Sequence, residues 1–470
     1  MANARQEDLL MKIPALLHLS RLGYGYLSRA QVRNRDRRTN IFPDTLKAAI
    51  ERINGVRLSA ERFARLTESL REQLDAEDLG KQFYETIRDG WQGLRVIDFE
   101  RPENNLFQSA CELSCGSGAG SFRPDITLFV NGLPLAVIEV KVQGRGRGLQ
   151  AEYDRMLERS RGQERRRYLQ CIQVWAFADD DKENPDGMLP TKGASFATGS
   201  AGDIPVYAIR GRGFASVRRL APRNTEEEQR ILEDNGIPAR PHSRIFNRSL
   251  SPQKPAHQLM TALFTPGRFL LLLRHGIQYT WEAEPGERVL LTRRMATARH
   301  LAMLEQLTRK ARRGYRNWTV PSCGAAGEQT ARAALVSMLR DLLPGAELYW
   351  VSNDHAGLQR DRSVLESCGI SVRAKEKAAN PSPVLMTAGE ALALRLPEAE
   401  NHGTGVRRVY ILPQQIPRYG QRGTLLSSLR RADPDAILIM RKAGEVQENS
   451  FSTILLQKEM PRRRASCPAD

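Results

Sequence analysis

Three residues in one short stretch could do chemistry together. Residues 122–141 read FRPDITLFVNGLPLAVIEVK, with Asp125 opening the first apolar run and Glu139 and Lys141 ending the second. Asn131-Gly132 lies between the runs, and that pair favours a two-residue hairpin because both turn positions need positive φ. The spacing predicts antiparallel strands over 125–130 and 134–141. Side chains alternate along a strand, so Glu139 and Lys141 share a face. The turn closes one end of the hairpin, so Asp125 meets them at the other. Two desolvated carboxylates held together cost several kcal/mol unless compensated. A divalent cation relieves that, and Mg²⁺ (or Mn²⁺) suits one or two carboxylates plus phosphate oxygens. Such an ion polarises a scissile phosphate and acidifies a bound water. A lysine beside it can orient the water and offset phosphate charge. Pro124-Asp125 … Glu139-Val140-Lys141 has the spacing of metal-dependent nucleases, PD … (D/E)xK. The plainer alternative is a strand that ends in a surface ion pair. Lys141 is the only lysine between Lys81 and Lys182, amid many arginines, which suits a chosen compact ammonium.

Elements of both kinds surround this hairpin. Helical periodicity runs over 6–22, FPDTLKAAIERIN, SAERFARLTESLREQL and DLGKQFYETIRDGW. After the hairpin, LQAEYDRMLERSRGQERRRYLQ reads as a helix and IQVWAFADD as a buried strand. Residues 222–267 are largely polar with several prolines and read as a connecting segment between a first domain, 1–221, and a second, 268–460. In the second domain, helices such as RMATARHLAMLEQLTRKA and ARAALVSMLRDLL alternate with short apolar runs, ELYWVS, RRVYILP and DAILIM. That alternation predicts a parallel α/β lobe. Residues 461–470 form a basic tail. The fold class expected is α/β, a mixed sheet behind N-terminal helices followed by a parallel lobe.

The chain has 470 residues and a formal net charge of +17, mostly from arginine. That excess favours a polyanionic partner, and nucleic acid first of all. The longest aliphatic run, Leu270 to Leu273, is far short of a membrane span, and the first ten residues have no apolar signal core. Six scattered cysteines make no disulfide framework, and Cys111 and Cys115 have no second Cys/His pair nearby for zinc. A cytoplasmic, membrane-free protein is expected.

RPDITLFVNGLPLAVIEVK closely resembles the nuclease signature of the restriction (motor) subunit of type I restriction–modification enzymes. RVIDFERPENNLF resembles the segment upstream, QEDLL with LGYGYL resembles the family's start, and RRRYLQCIQVWAFADD resembles the strand that follows the nuclease core. The resemblance covers residues 1 to about 180 and weakens beyond. It implies a PD-(D/E)xK fold and an auxiliary acid on an N-terminal helix, for which Glu7 is the matching residue. It also implies a glutamine and a tyrosine just after the core. Gln150 and Tyr153 are the nearest match, at a spacing that departs from the family's.

The family's second part is an ATP-driven translocase with RecA-like lobes, and here the sequence departs. A phosphate loop needs G-x-x-x-x-G-K-(S/T). The matching region is RNWTVPSCGAAGEQTARAAL, where Gly327 is followed by Glu328-Gln329, and no lysine occurs between Lys310 and Lys375. The acidic box should fall at Leu412-Pro413-Gln414-Gln415, which has no carboxylate. The third motif reads MRKAGE where the family has Thr-Gly-Thr-Pro. The expectation is a degenerate RecA-like lobe, with ATP neither bound nor hydrolysed.

The function expected is therefore a metal-dependent DNA endonuclease of a restriction or phage-defence system. Asp125 and Glu139 would hold metal, Lys141 would position water, and Glu7 would assist. Arg145, Arg147, Arg165, Arg166, Arg167, Arg312 and Arg313 would grip the DNA backbone without reading sequence. The alternative is a catalytically silent DNA-binding scaffold. It would dock on methyltransferase and specificity subunits or another defence protein. The triad chemistry itself does not separate DNA from RNA.

Overall fold

The computed structural model describes residues 11–115, 121–142, 155–156, 158–159, 163–180, 195–198, 224–237, 255–283, 289–295, 298–321, 325–372, 382–392, 407–413 and 421–442. Helices and sheets of both kinds are present, so the fold is α/β. Helix α1 (Ile13–Leu22) leads into strand β1 (Gly25–Leu27), and three helices follow: α2 (Pro43–Asn54), α3 (Ala60–Asp75) and α4 (Lys81–Asp89). Strands β2 (Phe107–Cys111), β3 (Ile126–Val130) and β4 (Leu133–Val142) come next, then α5 (Gln163–Cys171), β5 (Val174–Asp180) and β6 (Ser195–Thr198). These strands form a six-stranded mixed sheet in the order β1-β2-β3-β4-β5-β6. The pairs β2/β3, β3/β4 and β5/β6 are antiparallel, whereas β1/β2 and β4/β5 are parallel.

The hairpin forms as its turn chemistry requires. Asn131 and Gly132 have φ of 54° and 80°. The turn is buried and wired to its surroundings. Asn131 accepts the Leu106 N–H at 2.8 Å and donates to the Val96 carbonyl at 3.0 Å, while the Phe42 N–H donates to the Gly132 carbonyl at 2.9 Å. This fixes the closed end of the hairpin against the N-terminus of α2. The strands bury both faces, which explains their near-continuous apolar composition. On one face Ile126, Leu128, Ile138 and Val140 pack with α1 and α4 residues such as Leu16 and Phe83. On the other, Phe129 and Val137 pack with Tyr168, Trp175 and Phe177.

Two described stretches of the segment expected to be a connector are helical and packed. Helix α6 (Thr225–Asp234) lies against α1 and β1, and α7 (Pro255–Phe264) lies against α1 and β5. The acids of α6 are used as acceptors. The Glu227 carboxylate takes the Tyr26 N–H, and Asp234 takes the Tyr26 hydroxyl at 2.6 Å. Helix α7 stacks His257 on His18 of α1, with ring centroids 4.4 Å apart.

Helix α8 (Pro266–Leu271) runs into a π-helical turn, Leu272–Gly276, and the two-stranded hairpin of β7 (Ile277–Ala283) and β8 (Val289–Met295). Then come α9 (Ala298–Arg312), β9 (Asn317–Pro321), α10 (Ala325–Leu342), β10 (Glu347–Ser352), α11 (His355–Ser367), β11 (Val384–Thr387), α12 (Ala388–Leu392), β12 (Arg408–Leu412), α13 (Gln421–Ala432) and β13 (Ile437–Lys442). The second sheet has the order β11-β10-β12-β13-β9, and every pair is parallel. One apolar cluster runs unbroken from Leu16 and Ile126 through Leu263 and Leu273 to Leu339 and Trp350, joining the two sheets.

Candidate active site

The geometry of the site begins with a register shift. Phe129 pairs with Pro134, but Leu128 pairs with Ala136, so Leu135 is an extra residue, a β-bulge. Beyond the bulge Thr127 pairs with Val137 and Ile126 with Ile138. Continued by one residue, that register sets Asp125 across from Glu139. Residues opposed in an antiparallel pair project from the same face. Lys141, two residues on, shares it.

Asp125 is pinned at several points. Its Oδ2 accepts the Val140 N–H at 2.9 Å, and its backbone carbonyl accepts the Glu112 N–H at 3.1 Å. Lys141 Nζ stands 3.7 Å from Asp125 Oδ2. On the other oxygen, Lys12 Nζ stands 3.6 Å from Oδ1 and donates to Glu112 Oε1 at 2.9 Å. Burial alone would raise the Glu112 carboxyl pKa, yet the hydrogen bond and charge of Lys12 outweigh it and hold that pKa below its ordinary value. The site is thus a small lattice of opposite charges. Asp125 and Glu139 are nearly buried, whereas Lys141 keeps 22% of its side chain in solvent. That opening is where an extended anionic substrate could enter.

A buried polar layer lies beneath. Thr127 and the Tyr168 hydroxyl are hydrogen-bonded at 2.9 Å, and Cys115 is close by. Burial pushes the Cys115 thiol up to about 12, with the Glu139 charge adding to the effect. It pushes the Tyr168 phenol well above its ordinary range too. Both groups stay protonated at neutral pH, so Cys115 offers no thiolate nucleophile there.

The donor set fits a hard divalent cation. Carboxylates brought together on one face are oxygen ligands of the kind Mg²⁺ or Mn²⁺ takes. Among the described residues no group of three or more His, Cys, Asp or Glu side chains is arranged to hold a metal ion. A site built on Asp125 and Glu139 would therefore complete its shell with water and substrate oxygens, as Mg²⁺ sites commonly do.

Other residues singled out in the sequence fall elsewhere. Glu7, Arg145, Arg147, Gln150 and Tyr153 lie outside the described residues. Arg165 and Arg166 belong to α5. Arg167 forms a two-pronged ion pair with Asp75 of α3. Arg312 and Arg313 are exposed around the end of α9. Sequence reasoning missed Lys12 and Glu112. A signal for Lys12 was present, since it is the lone charge inside LLMKIPALL. Glu112 had none, because its role depends on a left-handed backbone, φ 49°.

Comparison with known proteins agrees on the first part of the chain. Residues 4–183 match the family model of the type I restriction enzyme R protein N terminus. Over 47 residues the chain is 40% identical to a protein of Methanocaldococcus jannaschii named as the endonuclease subunit of the type I restriction enzyme MjaVIIP. That stretch is 10% of this chain and 4% of the other protein. Among the described residues no helix is long and apolar enough to cross a membrane.

Proposed function

We propose that the chain is a Mg²⁺- or Mn²⁺-dependent DNA endonuclease of a type I restriction-like defence system, with a PD-(D/E)xK nuclease domain and a motor lobe that no longer hydrolyses ATP. The observation that carries this reading is the register of Asp125 against Glu139, with Lys141 on the same face, inside the segment matched by the family model. Asp125 and Glu139 would hold the ion. Bound there, it would polarise the scissile phosphodiester and acidify a water. The rest is done by the chain. The Val140 N–H and Glu112 N–H orient Asp125. Buried surroundings keep the Glu139 carboxylate from being screened by water. Lys141, the most solvent-open of the three, can turn its ammonium to the attacking water or to the phosphate.

The second lobe supports the other half of the proposal. Strands β9, β13 and β12 are consecutive neighbours and parallel, so their carboxyl ends lie in one row. A RecA-like nucleotide site would be built on that row, where open α/β sheets bind ligands. The chain places Glu328 beyond β9, Leu412-Pro413 at the end of β12 and Met440-Arg441-Lys442 at the end of β13. The sequence beyond β9 has no lysine at the phosphate-loop position, and the sequence at the end of β12 has no carboxylate for Mg²⁺. The packed apolar core between the sheets suits a scaffold that holds the nuclease domain and its DNA.

Plasmid cleavage by the purified chain tests this, with Mg²⁺ or Mn²⁺, with and without ATP, beside Lys141→Ala. Cleavage that needs metal and Lys141 but ignores ATP is the expected result. DNA binding without cleavage under every condition would favour the silent scaffold. Cleavage stimulated by ATP hydrolysis would overturn the reading of the second lobe.

A further inference from the structure

Lys12 brings a charge where lysine is seldom found. It is 5% exposed, and its chain neighbours Met11 and Ile13 are core residues. Burial of an ammonium is tolerated when carboxylates meet it. Lys12 meets Glu112 at 2.9 Å and Asp125 at 3.6 Å. The two contacts are unequal in kind. Asp125 is the inner carboxylate, almost buried and opposed to Glu139. Glu112 is the outer one, with 38% of its side chain in solvent. The Glu112 N–H bond to the Asp125 carbonyl keeps the two acids side by side, so a small swing of one ammonium changes its allegiance.

Resting on the nuclease reading above, we propose that Lys12 is a place-holding cation. Before metal binds, it hydrogen-bonds Glu112 and lends part of its charge to Asp125. Were Asp125 and Glu139 to hold a divalent ion, Lys12 would be repelled from Asp125 and left on Glu112. Lys12 and Glu112 are then positioning residues with opposite effects on metal affinity. Lys12 competes with the metal for Asp125. Glu112 draws that competitor away.

The consequence has a sign that a merely structural ion pair does not share. Removing Lys12 should tighten metal binding, because a unit charge about 4 Å from the ligand oxygen no longer opposes the incoming ion. Removing the charge of Glu112 should weaken it, because Lys12 then loses the carboxylate that draws it off Asp125. If the pair were structural, both changes would loosen the site alike.

The experiment is Mn²⁺ binding by calorimetry on the full chain, with Lys12→Met, Glu112→Gln, the double variant and Asp125→Asn. Lys12→Met should bind about tenfold tighter than the parent, roughly the effect of 1.4 kcal/mol. Glu112→Gln should bind severalfold more weakly, and the double variant should behave like Lys12→Met. Weaker or unchanged binding by Lys12→Met overturns the proposal. Should Lys12→Met fail to fold, unchanged or tighter binding by Glu112→Gln overturns it just as well. If the parent binds no Mn²⁺, or binds it equally with Asp125→Asn, the metal site itself is wrong and the nuclease reading falls first. Binding lost in Asp125→Asn while Lys12→Met matches the parent sinks only the role of Lys12.

Discussion

Glu139 stands across from Asp125 because Leu135 is extra. Counting from the turn, Leu133 pairs with Val130 and Pro134 with Phe129. Unbroken alternation would then set Ile138 against Asp125 and turn Glu139 to the opposite face. The bulge changes the parity, so Ala136, Ile138 and Val140 face the α1 side and Val137, Glu139 and Lys141 the other. Bulges that re-aim side chains beside functional sites are common, and here the shift brings two acids together.

This parity gives a pair of deletions with different outcomes. Deleting Leu135 removes the extra residue and leaves Asp125 opposite Glu139. Deleting Val137 moves Glu139 into the position of Ile138, across from Ile126. Each loses a fully buried side chain, and each should cost a few kcal/mol in denaturant unfolding. Mn²⁺ binding by the folded fraction separates them: it should persist without Leu135 and vanish without Val137. Binding by the Val137 deletion would show that register does not build the site.

How much of this could be read from the chain follows from the range of each interaction. The hairpin and its triad were legible because turn chemistry and strand alternation are local. The bulge was not, since Leu135 looks like any other residue of an apolar strand. Its position is set by what packs on both faces. The parallel second sheet was legible from strand–helix alternation, but the β7/β8 hairpin and the joint core were not. Within the segment 222–267, helix α6 is packed for a physical reason. Its polarity looked like solvent exposure, yet Glu227 and Asp234 spend their charge on the backbone N–H and hydroxyl of Tyr26. Nor does a basic run show that one of its members, Arg167, answers Asp75.

The turn itself offers a second test. Gly132 has φ of 80°, and a Cβ there would meet the Phe42 carbonyl oxygen at 2.8 Å. That oxygen is backbone, fixed at the start of α2, so it cannot swing away. Gly132→Ala should therefore destabilise by about 1–3 kcal/mol through left-handed strain and the clash together. The urea midpoint would report it. An unchanged midpoint would mean that the closed end of the hairpin is looser than described.

Arg293 ties the second part of the chain to the first. It is 1% exposed and donates to the carbonyls of Leu79 and Ile172, to Gln173 Oε1 and to the Tyr279 hydroxyl, at 2.7–3.2 Å. A planar guanidinium can serve these acceptors together, which one ammonium cannot. Arg293→Met should cost about 1–3 kcal/mol, since it removes the donor to the buried Ile172 carbonyl while the Tyr279 hydroxyl still reaches Leu79 and Gln173. Arg293→Lys should recover only a minor part. Denaturant melts of the variants would show this, and a cost below about 1 kcal/mol for Met would remove Arg293 as a tie.

His275 gives the junction a dependence on pH. It lies in the π-helical turn, and its Nδ1 meets Ser337 of α10 at 2.9 Å. Burial, helped by the charges of Arg274 and Arg88, lowers its pKa from 6.5 to about 3. Asp341 is 3.5 Å from Nε2 and would favour the imidazolium, but that carboxylate already pairs with Arg274, so burial prevails. The folded ring stays neutral while the unfolded one takes a proton below about 6.5. Unfolding then binds a proton, and stability falls as pH drops from about 6.5 towards 3. At pH 5.5 the loss from this group is about 1.4 kcal/mol, one pKa unit's worth. Denaturant melts at pH 7.5 and 5.5 should show that loss in the parent and lack it in His275→Asn. Parallel losses in the two proteins would mean that His275 is protonated in the fold, and that Asp341 rather than burial governs it.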